Sequence, residues 1–410
     1  MAHDAETWLY DNLILAQGMP LSARKLRQLA RMLDKGDATL AHTTMTLAAL
    51  TVHAEVIDVC LRHTAARPWV VAETALCMQC CTSECANFKV FCTAMSHECW
   101  VTAPVLAASC SGNLNLLRRL MRDHAECDAG VRQGTLRDGN FQGSALLWAA
   151  LRGRQRVVSW LVREAGNDAR TERSHKGYTA LLLACAKNHL RLAQWLINHA
   201  GSCVKTERCI KGNTALLLAC HFGNLDIARW LVTEAGSCVK TERDARRCTA
   251  LLLAAAAGNL DVVQWLVVEA GSSVQTERTD LGDTALLHAC ANNHLAVARW
   301  LVTTARCSVK TERCNFGNTA LLMACLFGGF EVVKWLICEA GSCARTERSV
   351  MGATALISAC HGGYLDLARW LVAEAGSSVQ ERDVVSGACV RVQAWSRGLN
   401  QTLRGGFCVP

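Results

Sequence analysis

The residues best suited to chemistry are gathered in one stretch, CMQCCTSECANFKVFCTAMSHEC, which carries Cys77, Cys80, Cys81, Cys85, Cys92, His97 and Cys99. Cys77 and Cys80 stand at the Cys-x-x-Cys spacing that lets two thiolates share one tetrahedral zinc ion, and Cys92, His97 or Cys99 could supply the other two ligands. Only one such pair occurs, and the second half of the stretch has no regular spacing. The segment also opens on Thr74-Ala75-Leu76, the letters that open a recurrent unit further along. A worn copy of that unit is the structural reading, and zinc held by Cys77, Cys80, Cys92 and Cys99 is the alternative. The chain has no P-loop, no Gly-x-Gly-x-x-Gly, no His-Glu-x-x-His and no nucleophile elbow. Neither catalysis nor a cofactor is expected.

The dominant feature is a period. Trp160, Trp195, Trp230, Trp265, Trp300, Trp335 and Trp370 follow one another at a constant interval of 35 residues. Sixteen residues before each Trp stands Ser144, Thr179, Thr214, Thr249, Thr284, Thr319 or Thr354, followed by Ala-Leu-Leu or, once, Ala-Leu-Ile. Thr-Glu-Arg recurs at 171–173, 206–208, 241–243, 276–278, 311–313 and 346–348. In one unit, Thr214 can cap a helix filled by Ala215 to Cys220, which Gly223-Asn224 ends in the left-handed conformation those residues tolerate. A second helix begins near Asp226, carries Ile227, Ala228, Trp230 and Leu231 on one face and stops at Gly236, before a polar finger returns the chain to Thr249. Such a unit cannot bury its apolar face alone. Copies must stack to form a core.

The unit resembles the ankyrin repeat. Gly212-Asn213-Thr214-Ala215-Leu216-Leu217-Leu218-Ala219-Cys220, then Gly223-Asn224 and Ile227-Ala228, follow that family's pattern in residue type and spacing together. Ala replaces the usual Pro, Leu usually replaces His, and the unit exceeds the customary ~33 residues, the extra length being assigned to the second helix end and the finger. The resemblance implies an all-α solenoid of helix-turn-helix units with finger loops. It divides the chain into a helical N-terminal region with degenerate repeats and the Cys-rich segment at 1–101, an array of about eight repeats at 102–382, and an irregular tail at 383–410. An eighth copy, without the Trp, runs through Ala103-Pro104-Val105-Leu106-Ala107-Ala108, Gly112-Asn113 and Leu116-Leu117, and a fainter one spans Thr43 to Leu61.

Composition agrees with an array. There is no apolar leader and no run approaching the ~18 residues a membrane helix needs, so a soluble intracellular protein is expected, cytoplasmic or alternatively nuclear. The 24 Cys then read as reduced thiols. Cys185, Cys220, Cys290, Cys325 and Cys360 share one repeat position, a small core site where Cys acts as a larger Ala. Residues 102–382 hold 32 Lys/Arg against 24 Asp/Glu, which places the excess positive charge in the array. That favours an acidic partner, while the absence of an aromatic-interleaved basic run argues against nucleic acid.

Two columns are read as structural. The Trp column occupies the place of the family's core Leu, and the Thr-Glu-Arg column reads as a solvated ladder of Glu paired with the Arg of a neighbouring copy. Variation falls elsewhere, in the finger tips and at the end of the first helix, the surface with which ankyrin proteins typically hold a partner protein. His175, Lys176, Tyr178, Lys187, Lys211 and Arg246 supply a basic part, and His221, Phe222, Phe316, Leu326, Phe327 and Met351 a largely apolar one. The expected function is a non-catalytic scaffold whose protein partner is acidic at one end and apolar at the other. The alternatives are an adaptor with a zinc module of the ubiquitin-transfer type and a nucleic-acid binder. Arg247 and Arg306 stand where other copies have Gly, so the copies at 249–313 are expected to be the softest. The lost period after Arg382 implies that the tail covers the last repeat or that the native chain continues.

Overall fold

The computed structural model describes residues 143–378 continuously, the strands at 136–138 and 141–143, and the short pieces 24–25, 27–29, 108–109, 112–115 and 117–118. The Cys-rich stretch, the faint copy at 43–61 and the tail from 383 lie outside the described residues. Every copy from Ser144 onward forms the expected helix pair. The first helices are α1 (Ala145–Leu151), α3 (Ala180–Ala186), α5 (Ala215–His221), α7 (Ala250–Ala257), α9 (Ala285–Ala291), α11 (Ala320–Leu326) and α13 (Ala355–His361). Each is followed by a second helix, α2 (Gln155–Arg163), α4 (Leu190–Ala200), α6 (Leu225–Thr233), α8 (Leu260–Val268), α10 (Leu295–Thr303), α12 (Phe330–Cys338) and α14 (Leu365–Ala373). One finger departs from the all-α expectation. Before α1, β1 (Leu136–Asp138) and β2 (Phe141–Gly143) pair antiparallel as a short hairpin.

The chain divides into two compact units, one of Met1–Ala215 with Glu234–Gly236 and one of Leu216–Thr233 with Ser237–Pro410. In the first, α1 packs on α3 and α2 on α4. In the second, α7, α9, α11 and α13 pack in series, as do α8, α10 and α12. The core of each unit is the Ala-Leu-Leu run: Leu181, Leu216, Leu251, Leu286, Leu321 and Leu356 are wholly buried. The eighth copy is visible in part, with Ala108 and Leu117 also buried and Gly112 left-handed at φ 85°.

Each first helix starts at a hydroxyl. Ser144, Thr179, Thr249, Thr284, Thr319 and Thr354 stand in extended backbone and accept the amide N–H three residues on. The turn after it is left-handed at Gly153, Gly223, Gly258, Gly328 and Gly363, and at Asn188 and Asn293 where Gly is replaced. The next residue does a second job besides the one expected of it. Its amide closes the first helix, as Asn259 N–H does on Ala254 at 3.0 Å, and its side chain reaches back to the preceding repeat: Asn259 Nδ2 donates to the carbonyls of Cys220 and His221 at 2.9 and 2.8 Å. His189 and His294 make the equivalent contact with Leu151 and Ala256 at 3.1 and 3.0 Å.

The Trp column packs as expected. Trp160, Trp195, Trp230, Trp265 and Trp335 are buried, with Trp300 and Trp370 half-buried. Outside it runs an exposed charged row, in which Arg229 pairs with Glu269 at 3.0 Å and Arg299 with Glu339 at 3.1 Å. The thiols of Cys185, Cys220, Cys290 and Cys325 are wholly buried, and burial pushes their pKa far up. Cys360, half-buried, is pushed up to about 11.

Candidate protein-binding face

The fingers are held by the Thr-Glu-Arg column, and not as a solvated ladder. Glu207, Glu242, Glu277, Glu312 and Glu347 are all buried. Glu312 accepts the hydroxyl of the N-cap Thr284 at 2.5 Å and the amide of Ser308 at 3.2 Å. Glu172 with Ser144, Glu207 with Thr179, Glu277 with Thr249 and Glu347 with Thr319 repeat the hydroxyl contact. Each hydroxyl therefore accepts from its own helix and donates to the carboxylate of the next finger, which explains why this position is always Ser or Thr. Burial raises the pKa of Glu172 and Glu207, against the opposing hydrogen bonds from Ser144 and Thr179. The Arg gives its hydrogen bonds to backbone carbonyls, although the charge of Arg173 still favours the Glu207 carboxylate of the next copy. Arg313 Nη1 donates to the carbonyls of Gly317 and, one finger on, Arg348, both at 2.9 Å. Arg173 does the same with Gly177 and Arg208. An acid and a base side by side suggested an ion pair, but the backbone groups of the finger compete for both.

Each finger then closes on itself. Asp244 Oδ1 accepts the amides of Arg246 and Cys248 at 2.9 and 2.7 Å, and Ser174, Thr279 and Ser349 accept the amide four residues ahead. Successive tips are tied by backbone: Ile210 N–H to Lys176 at 3.1 Å in the first unit, and Asp280 to Arg246, Asn315 to Leu281 and Val350 to Phe316 at 3.2, 2.8 and 2.9 Å in the second. With the backbone committed to this tie, the tip side chains project outward.

The first unit brings together His175, Lys176 and Lys211 on adjacent tips, with Lys187 at the end of α3, all exposed. Tyr178 belongs to the same finger but is half-buried, because the residue before each Thr sits at the base of the finger; burial raises its pKa. In the second unit Arg246 is exposed, and His221 meets Phe222 edge-on with ring centroids 4.9 Å apart. Phe222, Phe316, Phe327 and Met351 are 49, 49, 52 and 50% exposed, an unusual state for side chains of that size. Leu326 is half-buried. Leu281 and Val350, at 51 and 77%, join the same rows, and Ile210, at 73%, does so in the first unit. These three are not among the residues expected from sequence, although each carries the same signal as Phe316, an apolar letter at a tip. The proposed zinc ligands Cys77, Cys80, Cys92 and Cys99 lie outside the described residues. Among the described residues no three His, Cys, Asp or Glu side chains are grouped as metal ligands would be.

The family model for ankyrin repeats in three copies matches the chain over 104–207, 146–244, 194–278, 251–347 and 306–383. These matches overlap to span 104–383, more than half of the sequence. The chain belongs to the ankyrin-repeat family. No curated protein matches it closely enough to indicate a particular partner. Ankyrin repeats are in general modules for protein–protein interaction. In this ankyrin protein the residues that its copies share account for core, caps and finger ties, and the tips and first-helix ends differ from copy to copy. No helix among the described residues is long and apolar enough to cross a membrane.

Proposed function

We propose that this ankyrin protein is a non-catalytic scaffold that binds another protein through the finger tips and first-helix ends. The observation that carries the reading is the exposure of Leu281, Phe316, Val350 and Met351 on consecutive tips, beside Phe327 at the end of α11. A folded surface seldom leaves so many large apolar side chains together unless something covers them. Arg246 apart, the tip and helix-end residues assigned to this row in the second unit carry no Lys, Arg, Asp or Glu. The first unit presents Lys176, Lys187 and Lys211 at the matching positions. The partner is accordingly acidic where it meets the first unit and apolar where it meets the second. We place the complex in the cytoplasm.

The test is a displayed peptide library selected on the intact chain. The reading expects enriched sequences to combine acidic and large apolar residues and to compete with one another. Their binding falls at least ~10-fold with Phe316→Ala and Phe327→Ala, a loss of about 1.4 kcal/mol or more, as interface anchors give. Selected peptides whose binding ignores both substitutions would remove the reading.

A further inference from the structure

We propose that the repeat carrying α9 is an acid-sensitive joint: uptake of a proton at His288 loosens α9 from α7 and α11 and with it the tips at Leu281 and Phe316. His288 is half-buried, at a repeat position that holds Leu183 and Leu218, both buried, and Leu253 and Met323, both half-buried, in other copies. Its Nε2 is buried without a hydrogen-bond partner among the described residues. An imidazole so placed is kept as a nearly apolar ring, and a second proton would put a charge where none is solvated.

The groups around it do little to offset that charge. The adjoining helices α7 and α11 carry no acid or base other than the buried thiol of Cys325, and α10 contributes Arg299, which is paired with Glu339. On α9 itself Cys290 is a buried thiol, and Glu312 is held by Thr284. From the fingers come Asp283, Asp244 and Arg246. Asp283 and Asp244 favour the proton and Arg246 opposes it, but burial is the largest influence and holds the pKa of His288 below its ordinary value. Because the unfolded chain takes up the proton first, stability is complete above the unfolded value, about 6.5, and falls as pH drops through the window down to the folded value.

The repeat carrying α9 holds two of the four non-Gly residues with positive φ among the described residues, Asn293 at 60° and Arg306 at 59°, and a third, Arg247 at 61°, stands in the finger just before α7. The strain and the imidazole therefore fall on one joint, which has less to lose before it opens.

Amide hydrogen exchange on the full chain tests the joint. With intrinsic exchange corrected, protection in α9 should drop between about pH 7 and about pH 5.5, by at most about eightfold, the ratio reached when one proton is bound only by the open form. Protection in α3 should show no such drop. His288→Leu, the residue of the preceding copy at Leu253, should abolish the drop, and His288→Gln should abolish it while keeping a polar group. A drop that survives either substitution, or one equal in α3 and α9, overturns the proposal.

Discussion

Replacing Glu207 separates the buried-carboxylate account of the finger from an ion-pair account. Glu207 is 3% exposed, accepts the hydroxyl of Thr179 and takes the amide of Cys203 at 2.9 Å. Hydrogen bonds to a charged group are worth about 1.5–3 kcal/mol each, and Glu207→Ala leaves both donors facing an apolar methyl. Set against the desolvation that already raises its pKa, the net loss should be about 2–4 kcal/mol. An exposed Glu–Arg pair would account for only about 0–1 kcal/mol. Glu269→Ala, which removes the exposed partner of Arg229, provides that comparison in the same protein. Urea unfolding followed by far-ultraviolet circular dichroism measures both. A Glu207→Ala midpoint no lower than that of Glu269→Ala would refute the reasoning.

Three further outcomes follow from the same geometry. The raised pKa of Glu207 means that the folded state binds its proton before the unfolded one, so its contribution is complete below the unfolded value and is lost as pH rises through the folded value. Thermal melting of the wild type should therefore gain on that of Glu207→Gln as pH falls from neutral toward the unfolded value, about 4.5, and parallel curves would contradict it. Arg306→Gly relieves a left-handed residue at φ 59° and should stabilise by about 0.5–1 kcal/mol after the unfolded chain's gain in freedom, seen as a rise in urea midpoint; a fall would mean that the Arg side chain outweighs its backbone strain. Leu286→Ala, at a wholly buried core position, should cost about 2–5 kcal/mol, whereas Phe316→Ala on the exposed tip should stay within about 0.5 kcal/mol, and equal losses would put Phe316 in the core.

The fold was legible because the 35-residue period repeats every constraint seven times, so caps, Gly turns and core Leu corroborate one another across copies. Arg247 and Arg306 were readable for the same reason: each breaks a column otherwise filled by Gly, and both are left-handed. The Glu of Thr-Glu-Arg was misread because sequence shows charge but not the hydroxyl of Thr179, 28 residues away, that faces Glu207. Asn259 and His294 were missed likewise, since their carbonyl partners belong to the preceding copy. Among tip residues, variation from copy to copy located the exposed positions, but Tyr178 and Leu326 lie where the finger base and the helix end shade them.

The central claim is that partners are held by the tips and first-helix ends and not by the outer charged row. The decisive measurement is the Kd of one selected peptide for the wild type, for Phe316→Ala/Phe327→Ala and for Arg229→Ala/Arg299→Ala, with folding of each checked by circular dichroism. The account predicts at least ~10-fold weaker binding for the first variant and less than ~2-fold for the second. Weakening confined to the Arg pair would move the site to the second-helix surface.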